Sequence, residues 1–460
     1  MARRVLNSPG MAYRFGTILT ASLGIAACSD PPDRGDRPAT AGDLDPTFDG
    51  DGVVTTGRAG RDVGRAVLAQ SVAGGERLVV AGKAPRGNGT AFFMARFDHD
   101  GALDRSFGGA AGMGYVETSL GATTSDEGKS LAIMPDGDLV LAGISTDSGN
   151  GRFAAARYDA NGMPDAGFGQ QGATAIDFGS GNDEGKALAV HPCAAPLAPC
   201  LVIVGKAETP DGTGDIALVQ LDAAGATAAT FGKVATDLGG NDDEANDVVA
   251  LADGALIVVG FTGAAGHHDL IVLRYTPAGQ LDTGFGVPDA GGRRPGYTVT
   301  SVGDDDRAFA VAVDPTGGVV VAGRTATAGA RDGEVIVARY DALGVPDRAF
   351  GDRGDGVRVI GRPSSDDTGT AIAVDAAGRV VVAGRSTAGG GGGSAFTVTR
   401  LTATGADDPT FDPSRWDGAG SSGDDDDGAY GMALQADGGI VLTGELHGGD
   451  DDLAVLRVVP

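Results

Sequence analysis

Apolar residues along this chain do not recur at helical spacing. They come in short alternating runs closed by Gly, Asp or Pro, the period-two pattern of half-buried strands. One run recurs with a glycine at its end: "RLVVAG" (Gly82), "DLVLAG" (Gly143), "CLVIVG" (Gly205), "ALIVVG" (Gly260), "GVVVAG" (Gly323), "RVVVAG" (Gly384) and "GIVLTG" (Gly444). A second marker ends in phenylalanine: "LDPTF" (Phe48), "LDRSF" (Phe107), "PDAGF" (Phe168), "TAATF" (Phe231), "LDTGF" (Phe285), "PDRAF" (Phe350) and "DDPTF" (Phe411). The steps between these phenylalanines are 59, 61, 63, 54, 65 and 61 residues. The chain is therefore one unit written seven times.

Each unit holds four strand candidates. In the second they are "GYVETS", "KSLAIM", "DLVLAG" and "RFAAARY", the two middle ones joined by the tight turn "PDGD". Four strands in each of seven units predict an all-β fold, a single seven-bladed β-propeller with four antiparallel strands per blade. Closing the ring removes the exposed edges of an open array. An open β-solenoid and two smaller propellers are the competing arrangements. The propeller is expected over residues 44–460.

The pattern "D-x-G-x-A-x-A-x-x-PDG-x-V-x-AG … VARYxxxGxLDxxFG" resembles the delta-60 repeat family, exported bacterial proteins of this repeat length. The resemblance implies a propeller and carries no shared chemistry. Unit three departs from it, with "HPCAAPLAPC" in place of the hairpin turn and Gln220 in place of the usual Arg. Unit seven carries "FDPSRWDGAG" where other units have "FG" and a clear strand.

Aligning the chain with itself shows what the unit requires. An acid recurs at one position in all seven units: Asp62, Asp126, Asp183, Asp243, Asp306, Asp367 and Asp427. A base follows near the last strand in six: Arg96, Arg157, Arg274, Arg339, Arg400 and Arg457. The expected role is structural, with each Asp capping backbone N–H groups and meeting this Arg. A ring of seven carboxylates holding a cation on the axis is the functional alternative.

The N-terminus reads as an address. Arg3, Arg4 and Arg14 precede an apolar run from Phe15 to Ala27, too short for a comfortable span and shaped like an export signal. It ends in Ile25-Ala26-Ala27-Cys28, which resembles the lipobox of bacterial lipoproteins. That resemblance implies cleavage after residue 27, acyl chains (palmitate) on Cys28, and a flexible tether over residues 28–43. Ser29, not Asp, follows the cysteine, which by analogy favours the outer membrane; a secreted or periplasmic protein is the alternative. Two or more acyl chains, at about 0.8 kcal/mol per CH2, hold a protein at a membrane. Cys193 and Cys200 are then left to form a disulfide, contributing roughly 2–3 kcal/mol in an oxidising compartment.

A net charge of -27 excludes nucleic acid, whose phosphates need basic partners. The connection carrying the repeat acid and the third connection share one face of the disc, with runs such as "GNDDEAND" and "GDDDRA". That acidic loop face is expected to bind a protein, peptide or glycan, through cationic or metal-bridged contacts. On the other face "FDHDGALD" spaces Asp98, Asp100 and Asp104 like calcium ligands, although Asp-x-x-Gly is also a common turn. No cofactor is otherwise implied. His267, His268 and Asp269 in "GHHDL" are adjacent loop side chains, a poor chelating arrangement. No G-x-S-x-G, H-E-x-x-H or Walker loop is present. The expectation is a lipid-anchored, non-enzymatic binding or scaffold module of the cell envelope. A hydrolase or lyase acting on an extracellular polymer at the acidic face is the alternative.

Overall fold

Val and Ala alternate along these strands so that each face of each sheet is apolar, and neither face can stay in water. The computed structural model shows how both are covered. It describes residues 39–460 except 57, 59, 110–111, 180, 193–198, 230, 240–241, 328–331, 362–363, 389–392, 413–426 and 448–450. The signal, Cys28 and most of the tether, Cys193, and the irregular stretch of unit seven after Asp412 lie outside the described residues.

The first strand, β1 (Val53–Thr55), stands apart from those that follow it. Blade 1 holds β2 (Val63–Val72), β3 (Gly75–Arg86), β4 (Gly89–Phe97) and β5 (Tyr115–Thr118). Blade 2 holds β6 (Ser125–Ile133), β7 (Leu139–Asp147), β8 (Asn150–Tyr158) and β9 (Ala173–Ile176). Blade 3 is β10 (Glu184–Pro192), β11 (Pro199–Glu208), β12 (Gly214–Leu221) and β13 (Lys233–Thr236). Blade 4 is β14 (Glu244–Ala250), β15 (Leu256–Ala264), β16 (His267–Tyr275) and β17 (Tyr297–Thr300). Blade 5 is β18 (Asp305–Val313), β19 (Val319–Ala326), β20 (Gly333–Tyr340) and β21 (Val357–Ile360). Blade 6 shows β22 (Ser365–Val374), β23 (Val380–Ala388) and β24 (Ser394–Leu401) among the described residues. Blade 7 is β25 (Gly428–Leu434), β26 (Ile440–His447) and β27 (Asp451–Val458), completed by β1.

All pairings are antiparallel. The innermost strands β2, β6, β10, β14, β18, β22 and β25 touch one another in turn, and β25 meets β2, so the ring closes. This is the predicted seven-bladed propeller.

The sequence unit and the blade are out of phase by one strand. In sequence "GYVETS" falls with the three strands after it, but β5 bonds to β4 of the blade before it. The reason is topological: the outer strand of one blade leads to the inner strand of the next, so a repeat counted along the chain cuts across two sheets. The consequence falls on the ends. β1 pairs with β27, with Val53 opposite Leu456 and Thr55 opposite Ala454.

The apolar residues sort into seven clusters, one for each contact between neighbouring blades. Leu139 and Leu141 pack toward blade 1, while Val140 and Ala142 pack toward blade 3. A fully buried Leu or Val is worth about 1.5–3 kcal/mol, but only once the neighbouring blade is in place. The repeat glycines follow from the same geometry. Each inner strand carries a β-bulge, such as that between Gly128 and Ser130. The bulge presses a carbonyl against the second strand: a Cβ on Gly143 would overlap the Glu127 oxygen, and the other six repeat glycines meet the equivalent oxygen.

The two remaining markers fit each other. Each repeat phenylalanine is buried. Phe107 lies where a Cβ on Gly162 would be, and Phe168, Phe231, Phe285 and Phe350 stand likewise against Gly225, Gly279, Gly344 and Gly405. The phenylalanine of one blade is a plug, and the Asp-x-x-Gly or Thr-x-x-Gly turn of the next is its socket.

Candidate functional site

The repeat acids stand where the chain passes from an outer strand to the next inner one. All seven are buried. Asp126 accepts from the Leu120 N–H at 2.8 Å, Thr124 Oγ1 at 2.9 Å and Ser119 Oγ at 3.1 Å. Asp183 accepts from the Phe178 N–H at 2.6 Å, and Asp243 from the Leu238 N–H at 2.8 Å and Thr262 Oγ1 at 2.5 Å. Asp306 takes the N–H groups of Val302 and Gly303, and Asp367 the Ser365 hydroxyl. Asp62 meets Arg58 at 3.0 Å. Burial pushes its carboxyl up to about 6 despite that cation. Asp427 is buried at the same position ahead of β25.

The repeat arginines do not meet these acids, which corrects the expected pairing. Arg157 lies opposite Val140 at the start of β7, whereas Asp126 lies opposite Ser145 near its end. At about 3.3 Å per residue the two ends of the strand are more than 15 Å apart. Arg157 instead meets Asp136 at 2.7 Å and Asp138 at 2.9 Å in the hairpin turn. Arg274 meets Asp253 and Asp282, and Arg339 meets Asp314 and Asp347. Arg157, Arg274 and Arg339 thus tie a hairpin turn to the corner that carries the phenylalanine.

The calcium-like residues lie on that same face. Asp98, His99 and Asp100 come within 4.8 Å of one another. Asp98 Oδ1 accepts the N–H groups of Asp100 and Ala102, both at 3.0 Å, and Asp104 accepts from Arg96 at 2.8 Å. Asp159, Asp222 and Asp341 repeat the Asp98 turn. In this turn the carboxylate shapes the socket for a phenylalanine. Cys200 is buried opposite His191, and its expected partner Cys193 is outside the described residues.

On the acidic face the residue just before the repeat acid of blades 3, 4 and 6 reaches back to the preceding blade. Asn182, Asp242 and Asp366 accept N–H groups from Gly151, Gly214 and Gly333 at 2.8, 3.1 and 3.0 Å. Blade 4 differs on the donor side: His268 stands where these glycines do, its Nδ1 lies 2.7 Å from Asp305, and its ring packs edge-on to Phe261. Sequence reasoning set His268 aside as one of an adjacent pair. The signal was its register, where three other units have glycine.

The extra residue of each bulge sits half-buried around the axis: Arg65, Lys129, Lys186 and Asn246 on blades 1 to 4, then Phe309, Thr370 and Tyr430 on blades 5 to 7. Glu127 gathers Arg65 at 2.8 Å, Lys83 at 3.3 Å and Lys129 at 3.4 Å. Burial works against its charge, but Lys129, Arg65 and Lys83 outweigh it and hold the carboxyl down at about 2. Lys186 lies between Glu184 and Glu244. Asn246 donates to the Ala308 carbonyl at 2.8 Å and Thr370 to that of Ala429 at 2.6 Å, each on the next blade. Beside this ring Asp247 accepts the N–H groups of Val311 and Val248, both at 2.8 Å. Burial pushes its carboxyl up to about 7 against both bonds. Sequence reasoning missed this ring because a bulge leaves no mark in the alternation.

Four segments, residues 77–107, 135–168, 251–285 and 378–411, match a family model described as a domain of unknown function (DUF5122) beta-propeller. Each ends on a repeat phenylalanine. With the seven blades, these matches support placing the chain in a propeller repeat family. No curated protein matches it in sequence. Among solved structures, Sqt1 from Chaetomium thermophilum is 13% identical, covers 84% of this chain and 80% of its own, and gives a TM-score of 0.42. A gluconolactonase from Xanthomonas campestris is 12% identical over 88% and 99%, with a TM-score of 0.34. An alpha-L-arabinanase from Penicillium chrysogenum is 12% identical over 72% and 93%, with a TM-score of 0.38. None of these likenesses bears on what the chain does.

Proposed function

We propose that the chain is a lipid-anchored, delta-60-type propeller of the cell envelope, and that its ring is a binding module for a basic partner at the acidic loop face. The observation that carries the binding reading is the crowding of carboxylates over blades 3 and 4. Asp215 is raised above the usual carboxylate range, first by burial and then by Asp237, Asp243 and Asp211. Like charges held this close by a rigid scaffold repel, and a cationic ligand relieves the repulsion. Asp242 extends the patch, with its side chain 38% exposed. Three features support the address: the apolar run, the small residues before Cys28, and the polar stretch after it.

Two experiments test this. Palmitate labelling should mark the wild-type chain and be lost in Cys28→Ala, which should leave the membrane fraction; equal labelling of both rejects the anchor. Hexalysine titrated into the full chain should bind, weaken steeply with salt, and weaken several-fold in Asp211→Asn with Asp237→Asn. Binding indifferent to both substitutions rejects the acidic face as the site.

A further inference from the structure

We propose that the ring of bulge residues around the axis binds a neutral, hydroxyl-rich ligand, a carbohydrate. It goes beyond the acidic-face reading and stands on different residues.

The backbone at this position repeats in every blade, but the side chain does not. Where the fold needs a side chain it repeats it, as with the buried Asp, the plugging Phe and the close-packed Gly. Here blades 1 to 4 present charged or amide groups, and blades 5 to 7 present two aromatic rings and a hydroxyl. The ring therefore has a polar arc and a mostly apolar one.

The polar arc carries four cations, Arg65, Lys83, Lys129 and Lys186, against three carboxylates, Glu127, Glu184 and Glu244. Glu127 is shared by Arg65, Lys83 and Lys129, and Lys186 is held by Glu184 and Glu244. The side chains of these pairs stay 12–27% exposed, so they offer hydrogen-bond edges to the axis. A cationic ligand would have to break a pair and leave a half-buried charge without its partner, which is costly. A hydroxyl group does not: it donates to a carboxylate and accepts from an ammonium group at once. A ligand carrying many hydroxyls can lie along the arc with every pair intact.

The opposite arc suits the other side of a sugar. A pyranose or furanose ring turns its C–H groups to one face, and an aromatic ring covers such a face well. Tyr430 is already held beneath the Arg65 guanidinium, 4.2 Å from its centroid, so its plane is fixed before a ligand arrives. A rigid ring loses little rotamer freedom on binding, and this preorganisation favours affinity. The net charge of -27 disfavours an acidic polysaccharide.

The test is titration calorimetry of the full chain with an array of neutral oligosaccharides, an oligogalacturonate hexamer and hexalysine. At least one neutral oligosaccharide should bind. Its affinity should fall tenfold or more in Tyr430→Ala and in Phe309→Ala, and persist in Tyr430→Phe, which keeps the ring. Melting curves identify any variant that fails to fold; Lys129→Met on the polar arc then serves in its place, with the same tenfold loss expected. Asp211→Asn with Asp237→Asn should leave sugar binding unchanged. No neutral ligand, or neutral binding untouched by the Tyr430, Phe309 and Lys129 variants, overturns the proposal. Failure of hexalysine alone rejects the acidic-face reading and leaves this one standing.

Discussion

Val54 stands opposite Val455, pairing the beginning of the ring with its end. Around this contact the chain adds further ties: the Asp45 N–H donates to the Arg457 carbonyl at 2.8 Å, and the Gly42 N–H to that of Val459 at 3.0 Å. Val54 and Val455 also join the apolar cluster between blades 7 and 1. The last blade is thus completed by the first strand. A single short strand closes a structure whose every blade depends on two neighbours.

The repeat glycines predict one of the larger single-residue effects in the molecule. Gly143→Ala places a methyl group against the Glu127 carbonyl, and backbone cannot move aside cheaply. The expected loss is about 3 kcal/mol or more, in the range of severe core substitutions. Urea unfolding measures it; a loss under about 1 kcal/mol would mean that the bulge is not as tight as described.

The repeat acids predict a graded response. Asp126→Ala leaves three donors without their acceptor and should cost about 2–4 kcal/mol, given the strength of hydrogen bonds to a charged group. Asp126→Asn retains one acceptor oxygen and should cost less. Equal losses for the two variants would argue against the capping role.

Two carboxyls give opposite pH dependences. Asp247 is raised to about 7 in the folded protein, so its contribution is full below its unfolded value near 4 and is lost as pH rises toward 7. Glu127 is lowered to about 2, so its contribution is full above about 4.5 and is lost as pH falls toward 2. Denaturant midpoints measured from pH 2.5 to 8 should show the acid limb shrink in Glu127→Gln. The decline between about pH 4 and 7 should shrink in Asp247→Asn. Unchanged slopes in both variants would contradict the assigned environments.

Chelation tests the socket reading of "FDHDGALD". Asp104 is engaged by Arg96 and Ser106, and Asp98 by its own turn. Melting temperature should therefore be the same in EDTA and in millimolar calcium. A calcium-dependent rise that disappears in Asp100→Asn would restore the metal reading.

What could be read in advance follows from what leaves a periodic trace. The buried Asp, Gly and Phe recur because every blade needs them, so seven blades could be counted from spacing alone. The partner of each did not follow from spacing. Asp126 and Arg157 share a unit, yet the intervening strand sends them to opposite faces. The Asp98 turn reads two ways because a plugged socket and a calcium loop both use carboxylates to hold a tight turn. Tyr430 and Phe309 gave no signal at all: they occupy the one bulge position where the unit leaves the side chain open. The blade boundary was misplaced by one strand because hydrogen bonding to the preceding sheet leaves no mark in the alternation.

Closure of the ring is the claim on which the rest depends, and a cysteine pair tests it most directly. Thr55 and Ala454 are Cα partners across the β1–β27 contact, within reach of a disulfide, and both are close to cysteine in size. The double variant Thr55→Cys, Ala454→Cys should oxidise within one chain, migrate faster on a non-reducing gel, and melt at a higher temperature than its reduced form. A chain that stays open, or that cross-links only to a second copy, would contradict a ring closed by its own first strand.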